Sequence, residues 1–180
     1  MNTFIALLRG INVGGNNILP MRELVVVLEG LGLSQVKTYI QSGNVVFQSK
    51  NKNLKELSQV ISAAIGKSHG FAPHVLLFDL PTFQEAIAAN PFPEAERDPK
   101  TLHLFFLEEI PQNPDLESLE RLKAEKERYK LINNVLYLHA PDGIGRSKLA
   151  EKFGQGWGGA ITARNWRTVS KLMSMALESV

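Results

Sequence analysis

The residues that could bind a ligand begin with a polar, glycine-rich segment near the start of the chain. Residues 10–17 read Gly-Ile-Asn-Val-Gly-Gly-Asn-Asn and separate a predicted strand from a predicted helix. At such a junction, backbone N–H groups and the positive end of a helix dipole can converge on a phosphate or a carboxylate. Asn12, Gly14 and Gly15, with Arg9 just before them, are therefore candidate ligand-binding residues.

The same segment also has a purely structural interpretation. It lacks the Gly-Lys-Ser/Thr ending of a Walker A loop and the Gly-x-Gly-x-x-Gly pattern of a dinucleotide-binding turn. The strands that follow it are expected to pair antiparallel, unlike those of a nucleotide-binding βαβ unit. In that case Gly14 and Gly15 provide positive φ angles in a turn, and the asparagines satisfy the backbone.

A second group of candidate ligand-binding residues is basic and lies toward the C-terminus. Arg146, Ser147 and Lys148 are at the start of one predicted helix, and Arg164 and Asn165 are at the start of the last, which Asn165 is predicted to cap. Arginine suits bidentate recognition of phosphate. The alternative is a solvated basic face that makes ordinary surface ion pairs.

Residues for common catalytic chemistry form no recognisable pattern. The absence of cysteine excludes disulfides, thiolate ligands and cysteine nucleophiles, and the four histidines lack metal-site spacing. Ser42 has no nucleophile elbow around it, so Gln41–Asn44 is interpreted as a hairpin turn. This turn is expected at the sheet end opposite the C-terminus of the first strand, away from the glycine-rich segment. We expect no metal and no cofactor, and enzymatic activity stays open.

The hydrophobic pattern predicts strands and helices in the order βαββαβ, twice. The first half has strands at 4–9, 36–41, 45–48 and 74–79, with one helix that begins at Pro20 and a second that Asn53 is predicted to cap. The second half has strands at 102–108, 129–132, 135–139 and 160–162, with helices at 115–127, 147–153 and 165–177. This indicates the α+β class, with two ferredoxin-like halves of mainly antiparallel sheet plus a C-terminal helix.

Domain bounds and surface patterns follow from these elements. Residues 1–80 are predicted to form the first half, 81–100 a linker with a short helix, and 101–180 the second half with the C-terminal helix. The charges from Asp115 to Glu127 are expected to make local ion pairs along one exposed helix. Phe105 and Phe106 are adjacent in a strand and point to opposite faces, so one of them is expected to be exposed. Trp166 is expected in the core.

Composition sets limits on the class of protein. The chain has 180 residues, 44% of them hydrophobic, which suffices for a core without cross-links. The net charge of +2 does not by itself indicate nucleic-acid binding. No apolar stretch approaches the roughly 18 residues of a membrane span, and the N-terminus does not have the pattern of a signal peptide. A cytoplasmic protein without a membrane partner is expected, and the oligomeric state is not predicted.

Four stretches carry a resemblance to a known family. They are Leu7–Gly15, Thr38–Val45, Gly143–Leu149 and Arg164–Val169. Together they resemble the bacterial domain-of-unknown-function family 1697 over nearly the whole chain. The resemblance implies a single-chain α+β protein with paired ferredoxin-like halves, and it implies no established activity, cofactor or catalytic residue. Asn16 and Ile18 stand where that family often has lysines.

The leading functional hypothesis is a binding module for an anionic, phosphate-bearing ligand such as a nucleotide or nucleic acid. Its candidate contacts are Arg9, Asn12, Gly14, Gly15, Arg146, Ser147, Lys148, Arg164 and Asn165. Because Asn16 and Ile18 add no charge, the basic C-terminal residues are expected to supply it. An enzyme of unassigned class without metal or cysteine, and a protein-interaction or assembly domain, are the alternatives.

Overall fold

The computed structural model describes residues 1–155 and 159–179. The chain divides into two compact units, which we call the first unit (Met1–Glu85 with Ser170–Val180) and the second unit (Ala86–Val169). Each unit contains one four-stranded sheet. The predicted α+β class and the βαββαβ order of both halves are confirmed. The predicted domain bounds at residues 80 and 101 stay a prediction.

The first unit is built on strands β1 to β4 and helices α1 to α3. The strands are β1 (Asn2–Leu8), β2 (Ser34–Tyr39), β3 (Asn44–Ser49) and β4 (Val75–Asp79). The helices are α1 (Met21–Gly30), α2 (Leu54–His69) and α3 (Leu80–Ala88), which begins directly after β4 and ends in the second unit. The order in the sheet is β2-β3-β1-β4, with every neighbouring pair antiparallel.

Both faces of the first sheet are covered. Phe4 and Leu8 of β1 belong to a buried cluster with Leu24 of α1 and Ile61 of α2. The helical spacing of the apolar residues in α1 and α2 makes this possible, because it puts them on one side of each helix. On the opposite face Ile5 is fully buried. The first sheet therefore presents ligand-accessible groups at its ends rather than on its faces.

The second unit repeats this element order. Its strands are β5 (Leu102–Leu107), β6 (Arg128–Ile132), β7 (Val135–His139) and β8 (Ile161–Asn165). Its helices are α4 (Leu116–Leu122), α5 (Lys148–Gly154) and two short 3-10 helices, Pro93–Arg97 and Ile144–Arg146; α6 (Trp166–Leu177) starts here and ends in the first unit. The antiparallel order is β6-β7-β5-β8.

Two side-chain predictions for the second unit have opposite outcomes. Phe105 and Phe106 are both buried, so the expectation that one is exposed is wrong. The reason is that the second sheet is covered on both faces: Phe105 packs with Phe153 of α5, and Tyr137 on the other face reaches the carbonyl of Ala86 at 2.5 Å. Trp166 is buried, as predicted.

Helix α4 is shorter than the 115–127 predicted from its charges. It ends at Leu122, because Lys123 has an extended backbone and Glu127 folds back, its carboxylate accepting from the N–H of Ala124 at 3.0 Å. Local ion pairing is confirmed within α4, where Arg121 contacts Glu117 at 3.3 Å. Beyond the helix, Arg128 pairs with Glu94 of another segment.

Candidate functional site

The C-terminal end of β1 lies beside the turn between β2 and β3. Because β1 and β3 are antiparallel, with Leu7 opposite Asn44, β1 ends where β3 begins. The N–H of Leu8 donates to the carbonyl of Gly43 at 2.8 Å. The expectation that the glycine-rich segment and this turn lie at opposite ends of the sheet is therefore wrong. The physical reason is that β2 and β1, both antiparallel to β3, are parallel to each other and end at the same edge.

The glycine-rich segment folds as a small hairpin. Val13 and Asn16 pair across its tip, where the N–H of Asn16 donates to the carbonyl of Val13 at 3.0 Å. Gly14 and Gly15 occupy the two central positions with φ angles of 58° and 77°. Positive φ at both positions is the requirement of a type I′ hairpin turn, which glycine meets at little cost. The prediction that Gly14 and Gly15 provide positive φ angles in a turn is thus confirmed.

The side chain of Asn12 fastens this hairpin to its surroundings. Its Nδ2 donates to the carbonyls of Leu19 at 2.9 Å and Gln41 at 2.8 Å, and its Oδ1 accepts from the N–H of Leu19 at 2.8 Å. One amide side chain therefore joins the hairpin, the segment that leads into α1, and the β2–β3 turn. Because both amide hydrogens are used inside the protein, Asn12 positions the hairpin rather than offering donors to a ligand.

Gly43 makes the close approach of the two loops possible. Its φ is +72°, and a Cβ added there would lie 2.6 Å from the Cβ of Leu8 and 2.9 Å from the Cδ1 of Ile11. Both distances are shorter than non-bonded carbon atoms allow. The glycine in the Gln41–Asn44 stretch is thus required by packing against the end of β1.

We call residues 9–19, 40–43 and His74 the loop surface. His74 joins it because its carbonyl accepts from the N–H of Arg9 at 2.9 Å. Arg9 is exposed and is the only Arg, Lys, Asp or Glu in these residues. Gly14 and Gly15 are also exposed, and within residues 1–155 and 159–179 no acceptor is found for their N–H groups. The loop surface therefore combines one fixed cation with available backbone donors.

The loop surface also presents apolar side chains, which the sequence reasoning did not single out. Val13, Ile18 and Ile40 are 65%, 57% and 49% exposed. Their positions in turns and at the end of a strand could have indicated this exposure. An apolar residue in such a position does not belong to the buried face of a helix or strand.

The first three candidate residues of the second unit are continuous in sequence but differ in role. Ser147 is buried and caps α5, since its Oγ accepts from the N–H of Ala150 at 3.0 Å. Arg146, at the end of a 3-10 helix, and Lys148, the first residue of α5, are both exposed. The two cations can meet solvent and ligands, whereas the serine hydroxyl is engaged in the cap.

The other two candidates lie on β8. Arg164 is half-buried opposite Leu104 of β5 and donates through Nη1 to the carbonyl of Ala163 at 2.8 Å. Burial lowers its pKa to about 10, which leaves the guanidinium charged at neutral pH. Asn165 caps α6, as predicted, because its Oδ1 accepts from the N–H of Thr168 at 3.0 Å.

These placements divide the candidates between the two units. Arg9, Asn12, Gly14 and Gly15 share the loop surface of the first unit. The second group, Arg146, Ser147, Lys148, Arg164 and Asn165, belongs to the second unit. That both groups form one site stays a prediction.

A cavity that the sequence reasoning missed lies at the other end of the first sheet. It has a volume of about 410 Å³ and is lined by the beginning of β1, the end of β4 and residues that include Gln48 and Lys52. One signal for this cavity was available in the sequence: Lys52 follows β3, and Asp79 ends β4. Because both strands are antiparallel to β1, these charged residues come to the same edge of the sheet. Sequence motifs mark only the opposite edge.

The titratable groups with clearly shifted pKa values among the described residues lie in the second unit. Burial lowers the pKa of His103, whose Nδ1 has no hydrogen-bond partner in the described part of the chain, and raises the pKa of Tyr137 to about 12. A hydrogen bond from Arg128 lowers the pKa of Glu94, and burial lowers that of His139. Arg128 also lies over the ring of Phe92, at 4.7 Å from its centre, so this network fastens the Pro93–Arg97 turn to the sheet.

Two further observations concern metal-binding clusters and membrane-spanning helices among the described residues. Within residues 1–155 and 159–179, no three His, Cys, Asp or Glu side chains are grouped so that they could hold a metal ion. In the same residues, no helix has the length and apolar character required to cross a bilayer.

Comparison with known proteins identifies relatives of this chain but no activity. Residues 1–137 match the family described as "Protein of unknown function (DUF1697)". The structure is similar to that of the conserved bacterial protein SP0830 from Streptococcus pneumoniae, with a TM-score of 0.74 and 24% sequence identity, over 97% of this chain and 98% of that one. This likeness shows the fold. No curated protein matches the sequence.

Proposed function

The chain belongs to the DUF1697 family of proteins of unknown function, and we propose that it is a binding protein for a phosphate-bearing ligand such as a nucleotide or nucleic acid. The observation that supports this proposal is the electrostatics of the loop surface. Arg9 is its single fixed charge, and it contains no carboxylate side chain. An exposed guanidinium and backbone N–H groups on the same loop surface are donors of the kind that recognise a phosphate.

Preorganisation gives the proposal a second support. The side chain of Asn12 and the bonds Leu8–Gly43 and Arg9–His74 hold the loops together at distances of 2.8 to 2.9 Å. Loops that are fixed before binding lose less conformational freedom when a ligand arrives, so more of the interaction energy appears as affinity. Placing functional groups on loops held by a rigid sheet is also the usual arrangement of binding sites.

The second unit adds cations of the same kind. Arg146 and Lys148 are exposed on either side of the buried Ser147, and Arg164 keeps its charge at neutral pH. In our proposal Arg146 and Lys148 contact phosphates of a polymeric ligand, Ser147 caps the helix that begins at Lys148, and Asn165 caps α6 directly after Arg164. A nucleotide would need only the loop surface.

An NMR titration tests the proposal. The full chain is labelled with ¹⁵N and titrated with AMP and with an oligothymidylate of about eight nucleotides, a length within the site sizes of single-strand binding folds. We expect saturable shifts of the Arg9, Gly14 and Gly15 amides and a loss of affinity of about tenfold in Arg9→Gln, the usual range for a charge-assisted contact. Lys55→Gln is the matched control. Lys55 is exposed in the same unit, and its replacement by glutamine also removes one positive charge.

The two probes separate the ligand classes. Shifts with AMP alone would indicate a nucleotide, and shifts with the oligomer alone, weakened by Arg146→Gln, would indicate a nucleic acid. If neither probe shifts the loop surface at millimolar concentration, or if Arg9→Gln and Lys55→Gln bind equally, the proposal is wrong.

The exposed side chains of Val13, Ile18 and Ile40 favour a second candidate function. In it, a second copy of the chain covers these apolar side chains and the protein acts through self-assembly. Sedimentation velocity would then show a dimer that Ile18→Asp dissociates. A wild-type monomer at about 100 μM, well above the Kd of a functional dimer, would reject this candidate.

A further inference from the structure

The cavity at the beginning of β1 is formed where three strand ends meet. Because β3 and β4 are both antiparallel to β1, their C-terminal ends lie at the edge where β1 begins. In register, Gln48 of β3 lies opposite Thr3 and Asp79 of β4 lies opposite Phe4. The volume of about 410 Å³ is within the range of about 300–1,000 Å³ typical of small-molecule sites.

Two side chains of opposite charge line this cavity without neutralising each other. Lys52 follows β3 and is exposed, and Asp79 ends β4 and is half-buried. Within the described residues neither forms an ion pair, with the other or with a third group, so their charged atoms are more than 4.0 Å apart. One oxygen of Asp79, Oδ1, accepts from the N–H of Thr82 at 2.9 Å and caps α3, which leaves Oδ2 for a ligand.

The rest of the lining is amide and apolar. Gln48 is held in place because its Nε2 donates to the carbonyl of Ser179, so its side-chain oxygen remains as an acceptor. Met1, Leu80 and Pro81 supply apolar walls. An anion-binding group, a cation-binding group and an apolar wall therefore face one space.

We propose that this cavity binds a small zwitterion with an apolar side chain, of the size of a free amino acid or a dipeptide. The carboxylate of the ligand contacts the Lys52 ammonium, its ammonium contacts Oδ2 of Asp79, and its side chain packs on Leu80 and Pro81. Because the two protein charges are separate, a ligand that carries both complementary charges satisfies each without displacing an internal ion pair.

A titration with charge-edited probes tests this assignment. The ¹⁵N-labelled full chain is titrated with glycyl-leucine, with N-acetyl-glycyl-leucine, which lacks the ammonium, and with glycyl-leucinamide, which lacks the carboxylate. The variants are Lys52→Gln and Asp79→Asn, the second of which keeps an acceptor for the α3 cap. Lys50→Gln is the control, since Lys50 is an exposed lysine near Lys52 that does not line this cavity.

The expected result is a crossed pattern. Glycyl-leucine shifts the amides of Gln48, Asp79 and Leu80 saturably, and each variant weakens its binding about tenfold. Lys52→Gln does not further weaken the binding of glycyl-leucinamide, because this probe has no carboxylate for Lys52 to contact. Asp79→Asn likewise does not further weaken the binding of N-acetyl-glycyl-leucine, which has no ammonium for Asp79 to contact. Lys50→Gln binds all three probes like the wild type.

The assignment is overturned if glycyl-leucine at about 50 mM leaves these amides unshifted, a concentration that would populate even a very weak site. It is equally overturned if the three probes bind alike or if Lys52→Gln behaves like Lys50→Gln. Because Arg9 is on the loop surface at the other end of β1, Arg9→Gln leaves this titration unchanged, and the result is independent of the phosphate proposal.

Discussion

The substitution Gly43→Ala tests how the two loops at the end of β1 are packed. The new methyl group would be placed 2.6 Å from the Cβ of Leu8 and 2.9 Å from the Cδ1 of Ile11, on a residue with φ of +72°. The left-handed backbone costs roughly 1–2 kcal/mol for a residue with a Cβ. The clash adds about 1–3 kcal/mol, as in an overpacked core.

The sum is a destabilisation of about 2–5 kcal/mol, a large part of the 5–15 kcal/mol of a typical domain. A matched control separates its two causes. Gly10 has a φ of +70°, and a Cβ added there meets nothing within 4 Å. Gly10→Ala therefore carries the backbone cost alone, and the difference between the two variants measures the clash.

Native-state hydrogen exchange is the suitable assay, because a chain of two units need not unfold in one step. The slowly exchanging amides of β1, such as those of Ile5 and Leu7, report the opening of the first unit. We expect Gly43→Ala to lower their protection by about 1–3 kcal/mol more than Gly10→Ala does. Equal protection in the two variants would refute the close packing of Gly43 against Leu8 and Ile11.

Three further predictions concern hydrogen bonds and protonation. Asn12→Ala removes three hydrogen bonds and leaves a left-handed alanine at φ of 53°, so the opening energy of β1 should fall by about 2–4 kcal/mol in the same exchange experiment; unchanged protection would mean that Asn12 does not fasten the loops. Tyr137→Phe removes the bond to the carbonyl of Ala86 and should cost about 0.5–1.5 kcal/mol in urea unfolding, whereas a more stable variant would show that the bond contributes nothing. Burial lowers the pKa of His103 below 6.5, so the unfolded chain binds a proton that the folded chain does not. The stability from this group is complete above pH 6.5 and is lost as the pH falls through the folded pKa. In His103→Leu the free energy of unfolding, measured in urea, should fall less steeply below pH 6.5, by at most about 1.4 kcal/mol per pH unit, and parallel curves would contradict this.

Local chemistry explains which elements can be predicted from the sequence. Asn53 and Asn165 are recognised as helix caps from residue type and spacing, and each accepts the expected backbone N–H in the structure. The strand from Val135 to His139 is predicted with its exact bounds, because an asparagine turn and a run of β-favouring residues mark it. These features depend on neighbours within a few residues.

Features that depend on distant contacts are the ones predicted wrongly. Phe105 and Phe106 alternate across β5 as expected, but their burial depends on what covers each face, and local alternation does not contain that information. The end of α4 depends on Glu127 folding back onto the N–H of Ala124, against a charge pattern that favours a longer helix. In both cases tertiary contacts decide over local preference.

The candidate site shows the same division. The glycine-rich segment and the Gln41–Asn44 turn are both recognisable in sequence, but the prediction that they lie at opposite ends of the sheet is wrong, because the edge they share depends on which strands pair. What the sequence does not show is the side chain that joins them: Asn12 reaches Gln41 across 29 residues of chain. The cavity at the other edge is likewise formed by residues from three separated segments, so no local motif marks it.

The salt dependence of oligothymidylate binding tests the central claim most directly. If Arg9 contacts a phosphate, Arg9→Gln should reduce the slope of log affinity against log salt concentration by about 0.7, the value for one contact with a single strand. Lys55→Gln should leave the slope unchanged. A wild-type chain without salt-dependent affinity, or equal slopes for Arg9→Gln and the wild type, would contradict phosphate binding by the loop surface.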